Sequence, residues 1–201
     1  MTWFQVAGCD NTAANPLVTD SHDLRGYDEY AFMRGSQFTN WDPTSWLKAS
    51  RPENDGDPDD ALQNHLGLPV YSARLSNALT ASGIHEIQYL PVQILRPSGE
   101  CVLGFSIANT LSVVSALDIA HSDYDTFPDD YFLPERRGRI AGLRRAILRA
   151  SALHGHDVVR LAEFPFDIFV AEAFRSTFDS AECTGYSFVE VEITGQRALL
   201  V

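Results

Sequence analysis

Two stretches constrain the fold most: PVYSARLSNALTASGIHEIQYLPVQIL (69–95) and DIFVAEAFRSTFDSAECTGYSFVEVEI (167–193). An offset of 99 residues lays Val70 on Phe169, Leu75 on Phe174, Leu79 on Phe178, Ile84 on Cys183 and Ile87 on Tyr186. The same offset lays Tyr89 on Phe188, Val92 on Val191 and Ile94 on Ile193. In the first stretch Ser72 is a good N-cap, Leu75, Ala78 and Leu79 form one helical face, and Gly83 is a helix stop. In the second, Phe174 and Phe178 sit at helical spacing. After Gly185, Tyr186, Phe188, Val191 and Ile193 alternate around Glu190 and Glu192, as a strand requires. Identity between the stretches is almost nil, so they read as a shared strand–helix–strand construction rather than a duplication.

The expected fold class is therefore α+β. A mixed or antiparallel sheet includes residues 86–95, 101–108 and 186–193, and helices 73–82 and 171–180 pack on it. Leu75, Leu79, Ile87, Tyr89, Phe174, Phe178 and Phe188 are the expected core. Thr2–Val6 reads as a short opening strand. Ile84–Leu95 and Cys101–Ala108 form a hairpin about the Pro97-Ser98-Gly99 turn. Arg139–Leu153 has helical spacing, yet it also suits a hairpin with the strand-like Asp157–Leu161. With 201 residues the chain fits a single domain. Residues 1–57 form an irregular acidic N-terminal part, and 58–193 form the core. Tyr27, Tyr30, Phe32, Phe38, Trp41 and Trp46 interrupt the irregular tract and point to order rather than a disordered tail.

Charge narrows the partners. Twenty-seven acids against fifteen bases give −12, and residues 1–130 hold 18 of the acids and 6 of the bases. Such a field repels nucleic acid and draws basic partners. The N-terminal MTWFQVAGCD has no basic residue ahead of its short apolar run, so no signal peptide is expected. The longest uncharged run, Cys101–Leu117, is 17 residues and carries several hydroxyl and amide side chains, too polar to span a bilayer. A cytoplasmic protein is the expectation. Cys9, Cys101 and Cys183 lack C-x-x-C spacing and read as buried reduced thiols rather than a disulfide or zinc framework.

Chemistry-bearing motifs are scarce. The chain has no G-x-S-x-G, no H-E-x-x-H, no phosphate-cradling glycine loop and no dinucleotide fingerprint, so neither catalysis nor a cofactor is expected. ENDGDPDD (53–60) looks like a calcium loop, but Pro58 interrupts it and no closing glutamate follows; a solvated turn is expected. His154-Gly155-His156-Asp157 reads as a polar turn rather than a metal site. An enzyme of hydrolase type would need His121 or His154 to converge with carboxylates from other segments. A nucleic-acid binder would need the arginines of Glu135–Arg149 on one face. A regulatory protein-binding module is the third alternative.

One stretch stands apart: HSDYDTFPDDYFLPERRGR (121–139). Its aspartates alternate with aromatics and are punctuated by Pro128 and Pro134. That suits protein recognition: aromatics supply rigid apolar contact, carboxylates complement Lys and Arg, and prolines lower the ordering cost. Asp123, Tyr124, Asp125, Asp129, Asp130 and Tyr131 are the candidate partner-binding residues.

Four short elements carry a resemblance. They are Val70-x-Ser72 at a helix start, Leu117-Asp118 after the central strand, Ile168-Phe169-Val170 before the last helix, and Gly185-x-x-Phe188 in the last strand. Over about residues 58–192 the chain resembles a family of bacterial immunity proteins, first defined from a myxobacterial member and belonging to polymorphic toxin systems. Residues 1–57 match poorly, and Asp129–Arg137 looks like an insertion peculiar to a subgroup. The resemblance implies a protein that binds and neutralises a cognate secreted toxin domain without catalysis of its own. It leaves the toxin and the oligomeric state open.

Overall fold

The computed structural model describes residues 1–8 and 16–195. In chain order the elements are β1 (Trp3–Gly8), β2 (Ser21–Asp23), α1 (Glu29–Met33), β3 (Trp46–Lys48), β4 (Val70–Ser72), α2 (Ala73–Ala81), β5 (Ile87–Leu95) and β6 (Cys101–Thr110). They continue with β7 (Val113–Val114), β8 (Asp123–Thr126), β9 (Ile140–Arg145), β10 (Ile147–Arg149), α3 (Ala150–Leu153), β11 (Val158–Leu161), β12 (Ile168–Ala171), α4 (Glu172–Ser180) and β13 (Tyr186–Thr194). A six-stranded sheet runs β10-β13-β1-β12-β11-β7, and a five-stranded sheet runs β2-β3-β5-β6-β4. Strands β8 and β9 form a separate two-stranded ribbon. The fold is thus α+β with mixed sheets and helices packed on them, as the sequence predicts.

The two strand–helix–strand units match in register as well as in pattern. Phe105 of β6 lies opposite Ser72 and Val92, while Trp3 of β1 lies opposite Ala171 and Val191, each partner 99 residues later. On the far side, β3 runs parallel to β5 with Trp46 opposite Gln93, and β10 runs parallel to β13 with Ile147 opposite Glu192. The N-terminal strand β1 therefore occupies in the second unit the place that β6 holds in the first. Ser72 caps α2 by accepting the Leu75 N–H at 3.2 Å. Both helices end in a left-handed residue, Gly83 (φ 88°) in one and Glu182 (φ 52°) at the equivalent place in the other.

Three apolar clusters explain the burial. The first lies between the units, where Leu75, Leu79, Phe174 and Phe178 of α2 and α4 meet Phe4, Tyr71, Ile87 and Val170. The outer face of the first sheet carries Val70, Leu90, Val92, Ile94, Phe105 and Ile107, covered by Leu17, Leu24, Phe32, Phe38 and Trp41. The outer face of the second carries Trp3, Leu148, Phe169, Ala171 and Val191, covered by Ala116, Leu117, Ile140 and Leu143. Among the described residues, the irregular N-terminal tract is an ordered cover over one sheet, consistent with its aromatic content.

Several expectations are corrected. Tyr89 and Phe188 are half-buried at the margin of the first cluster rather than deep in it. Tyr186 and Phe188 do not share a face with Val191 and Ile193. The first pair faces α4 and the second pair faces the opposite cover, so β13 is apolar on each face in turn. Arg139–Leu153 is neither a helix nor a hairpin with 158–161. Its strand β9 pairs with β8, and β10 pairs in parallel with β13, leaving only the single turn α3. The ENDGDPDD stretch is not wholly solvated, because Asp59 and Asp60 are buried. Cys101 and Cys183 are free and half-buried, not fully buried, and Cys9 lies outside the described residues.

Candidate functional site

The candidate stretch folds into an arm. Strand β8 pairs antiparallel with β9, with two register shifts, Tyr124 opposite Leu143 and Asp125 opposite Gly142. At the tip, Phe127 exchanges backbone bonds with Arg139 and Gly138 at 2.9 and 3.0 Å. Pro134–Arg136 adds one turn of 3-10 helix. The aromatics stack in series, with ring centroids 4.6 Å apart for Phe127–Tyr131 and 4.5 Å for Tyr131–Phe132. The guanidinium of Arg136 lies over Phe127, 5.8 Å from its centroid. Arg137 Nε donates to the Tyr131 carbonyl at 2.8 Å. Phe132 is left 74% exposed, second only to Leu103 among the large hydrophobics of the described residues.

The arm is less acidic in three dimensions than its sequence suggests. Arg144 on β9 bridges both Asp123, at 2.6 Å, and Asp125. The bonds from Arg144 hold the Asp123 carboxyl below its ordinary range. Tyr124 is half-buried, whereas Asp129 and Asp130 are exposed at the turn. The six predicted residues thus share one arm, but they divide into a charge-compensated base and an open acidic and aromatic tip. Neither Phe132 nor Arg144 stands out in the sequence. Aspartate is a poor strand former, so nothing local announces β8, and its pairing appears only once β9 is beside it.

The alternative sites do not converge among the described residues. His121 Nδ1 lies 3.0 Å from Asp118 Oδ1 on the surface, and that carboxylate also accepts from Thr194 at 2.9 Å. His156 lies 3.6 Å from Glu86, on another part of the chain. Among the described residues no group of three His, Cys, Asp or Glu is arranged to hold a metal ion. The arginines of 136–149 are largely engaged: Arg145 with Glu192, Arg149 with the carbonyls of Leu117 and Ser115, and Arg136, Arg137 and Arg144 as above. Burial raises the pKa of the Cys183 thiol, opposite to what a nucleophile needs. No helix among the described residues is long and apolar enough to cross a membrane.

The described residues thus form a mixed α+β scaffold with a separate two-stranded ribbon, on which several titratable groups are engaged in pairs. The chain belongs to the Imm11 immunity protein family, which it matches over residues 7–193. That match begins at residue 7 and so extends through most of the N-terminal tract as well as the core. A search of curated proteins found no match.

Proposed function

We propose that the protein binds a cognate toxin and neutralises it in the cytoplasm, without catalysis of its own. Membership of an immunity protein family carries this reading. The supporting structural feature is the arm of residues 121–145, with Asp123, Tyr124, Asp125, Asp129, Asp130 and Tyr131 as the partner-binding set. The exposed Phe132, backed by the half-buried Tyr131, supplies the apolar anchor, and aromatics of this kind dominate interface energetics. Asp129 and Asp130 face solvent unpaired by any described cation, while the −12 net charge sets the long-range field. A basic toxin fits that field. A nuclease is the leading case, because contact with phosphate requires Lys and Arg.

The test uses the toxin domain encoded beside this gene. Full-length protein should form a stoichiometric complex with it and rescue growth of cells that express it. Replacing Asp123, Asp125, Asp129 and Asp130 together by Asn should slow association and flatten its salt dependence. Tyr131→Ala with Phe132→Ala should speed dissociation. Unaltered rates for both variants at low salt would remove the arm from the interface, and absence of any complex would remove the function.

A further inference from the structure

We propose that a cavity at the junction of the two units is a socket for one lysine or arginine side chain of the toxin, an inference that rests on the binding function above. Strand β1 pairs with β12 over Trp3–Gln5 only, and beyond Gln5 the two strands part. The gap opens into a cavity of about 280 Å³ beside Ala61–Asn64, Phe166–Ile168 and Tyr186. That is below the roughly 300–1,000 Å³ of sites for drug-sized ligands. It is nonetheless many times the ~30 Å³ share of one water. A single long side chain is of the right order.

The lining selects the chemistry. Val6, Leu62, Leu68, Pro69, Phe166 and Ile168 give apolar walls, and Asp167 is the one charged residue among the described lining. Apolar walls interrupted by Gln63, Asn64 and Tyr186, with a single carboxylate, complement a long aliphatic stem that ends in a cation. Gln5 Nε2 donates to Asp167 Oδ2 at 2.9 Å and fixes the carboxylate's orientation. Burial pushes the Asp167 carboxyl up, and the charge of Arg160 together with the Gln5 bond only partly offsets it. Arg160, itself 1% exposed, is turned to the Pro165 carbonyl at 2.7 Å, and it makes no ion pair within 4 Å of Asp167. An arriving ammonium or guanidinium would add the direct ion pair that Arg160 does not make. Phe166, 49% exposed, stands at the rim.

Full-length protein labelled with ¹⁵N would be titrated with n-butylguanidinium, n-butylammonium and, as neutral control, n-butanol. The two cations should give saturable amide shifts at Gly8, Gly67 and Gly185, and the alcohol should not. Asp167→Asn should weaken the cation response at least tenfold while keeping the native spectrum and melting temperature, and Asp167→Glu should retain it. Equal shifts with the alcohol, no shifts at these glycines, or an undiminished response in Asp167→Asn would overturn the socket. With toxin in hand, Asp167→Asn should weaken binding at least tenfold. If wild-type protein and the variant bind toxin equally, the socket is wrong and the function stands. If wild-type protein binds no toxin, the function itself fails.

Discussion

Asp60 Oδ2 accepts the backbone N–H of Thr184 at 3.1 Å, joining residues 124 positions apart. The same carboxylate accepts from Ser72 Oγ at 2.6 Å and from Arg74 Nε at 3.1 Å. Ala61 N–H completes the clasp by donating to the Thr184 carbonyl at 2.9 Å. One buried side chain thus ties the N-cap of the first unit to the start of the last strand of the second.

Asp60→Ala removes the acceptor that Ser72, Arg74 and Thr184 share and should cost about 2–4 kcal/mol, from the roughly 1–3 kcal/mol of stranding buried polar groups together with lost charged bonds. The pH dependence has a defined sign. Burial pushes the Asp60 carboxyl up, but bonds from Arg74, Ser72 and Thr184 outweigh it and hold the group below its usual range. Its stabilising contribution is present above the unfolded carboxylate pKa and is lost as pH falls through the lower folded value. Asp59, raised chiefly by burial, works the other way, favouring the fold at low pH and losing that advantage as pH rises. Urea unfolding between pH 3 and 7 should show a flatter acid limb for Asp60→Asn and a neutral-pH gain for Asp59→Asn. An acid limb unchanged by Asp60→Asn would refute the assignment.

Strand β1 stands between β12 and β13, with Trp3 and Phe4 buried on opposite faces. Phe4→Ala should cost about 3–5 kcal/mol, the usual range for a buried aromatic. Trp3→Phe should cost much less than Trp3→Ala, because the buried Trp3 Nε1–H has no partner among the described residues and its loss removes a penalty. Chemical denaturation of the three variants ranks them.

Gly185 adopts φ +102°, and a Cβ there would sit 2.3 Å from the Ala61 carbonyl oxygen in the clasp. Gly185→Ala should therefore destabilise by several kcal/mol or prevent folding. Gly67→Ala, also at positive φ but with nothing within 4 Å, should cost only the backbone penalty of about 1 kcal/mol. Similar melting temperatures for the two would contradict the close approach.

Arg144 offsets two aspartates on the arm, and all three side chains are more than half exposed. Arg144→Met should leave the melting temperature nearly unchanged, since exposed ion pairs contribute little. It should raise the rate of association with a basic partner at low salt, an increase that disappears at high ionic strength. Stopped-flow association measured across a salt series reads both effects.

The helices and the strands that follow them were legible because their signals are local. Ser72 and Gly83 mark the ends of α2, and Leu75, Leu79, Phe174 and Phe178 repeat at the helical period. These residues fix which face is apolar whatever the partner, so the α+β class and the equivalence of the two units follow from sequence alone. Other features depend on what a segment meets. Thr2–Val6 reads as a strand, but the place of β1 inside a sheet is set by the gap between β12 and β13. Asp59 and Asp60 read as part of a solvated acidic turn until Thr184, Ser72 and Arg74 arrive from elsewhere to satisfy the buried carboxylates. Asp123 and Asp125 read as free negative charge, yet Arg144 lies on the neighbouring strand. Asp167 carries no motif at all, and only the parting of β1 from β12 makes it the single charge among the described residues that line a cavity. Burial and charge compensation are properties of pairs of segments, so tertiary structure decided them, whereas period and capping are properties of one segment and the sequence alone determined them.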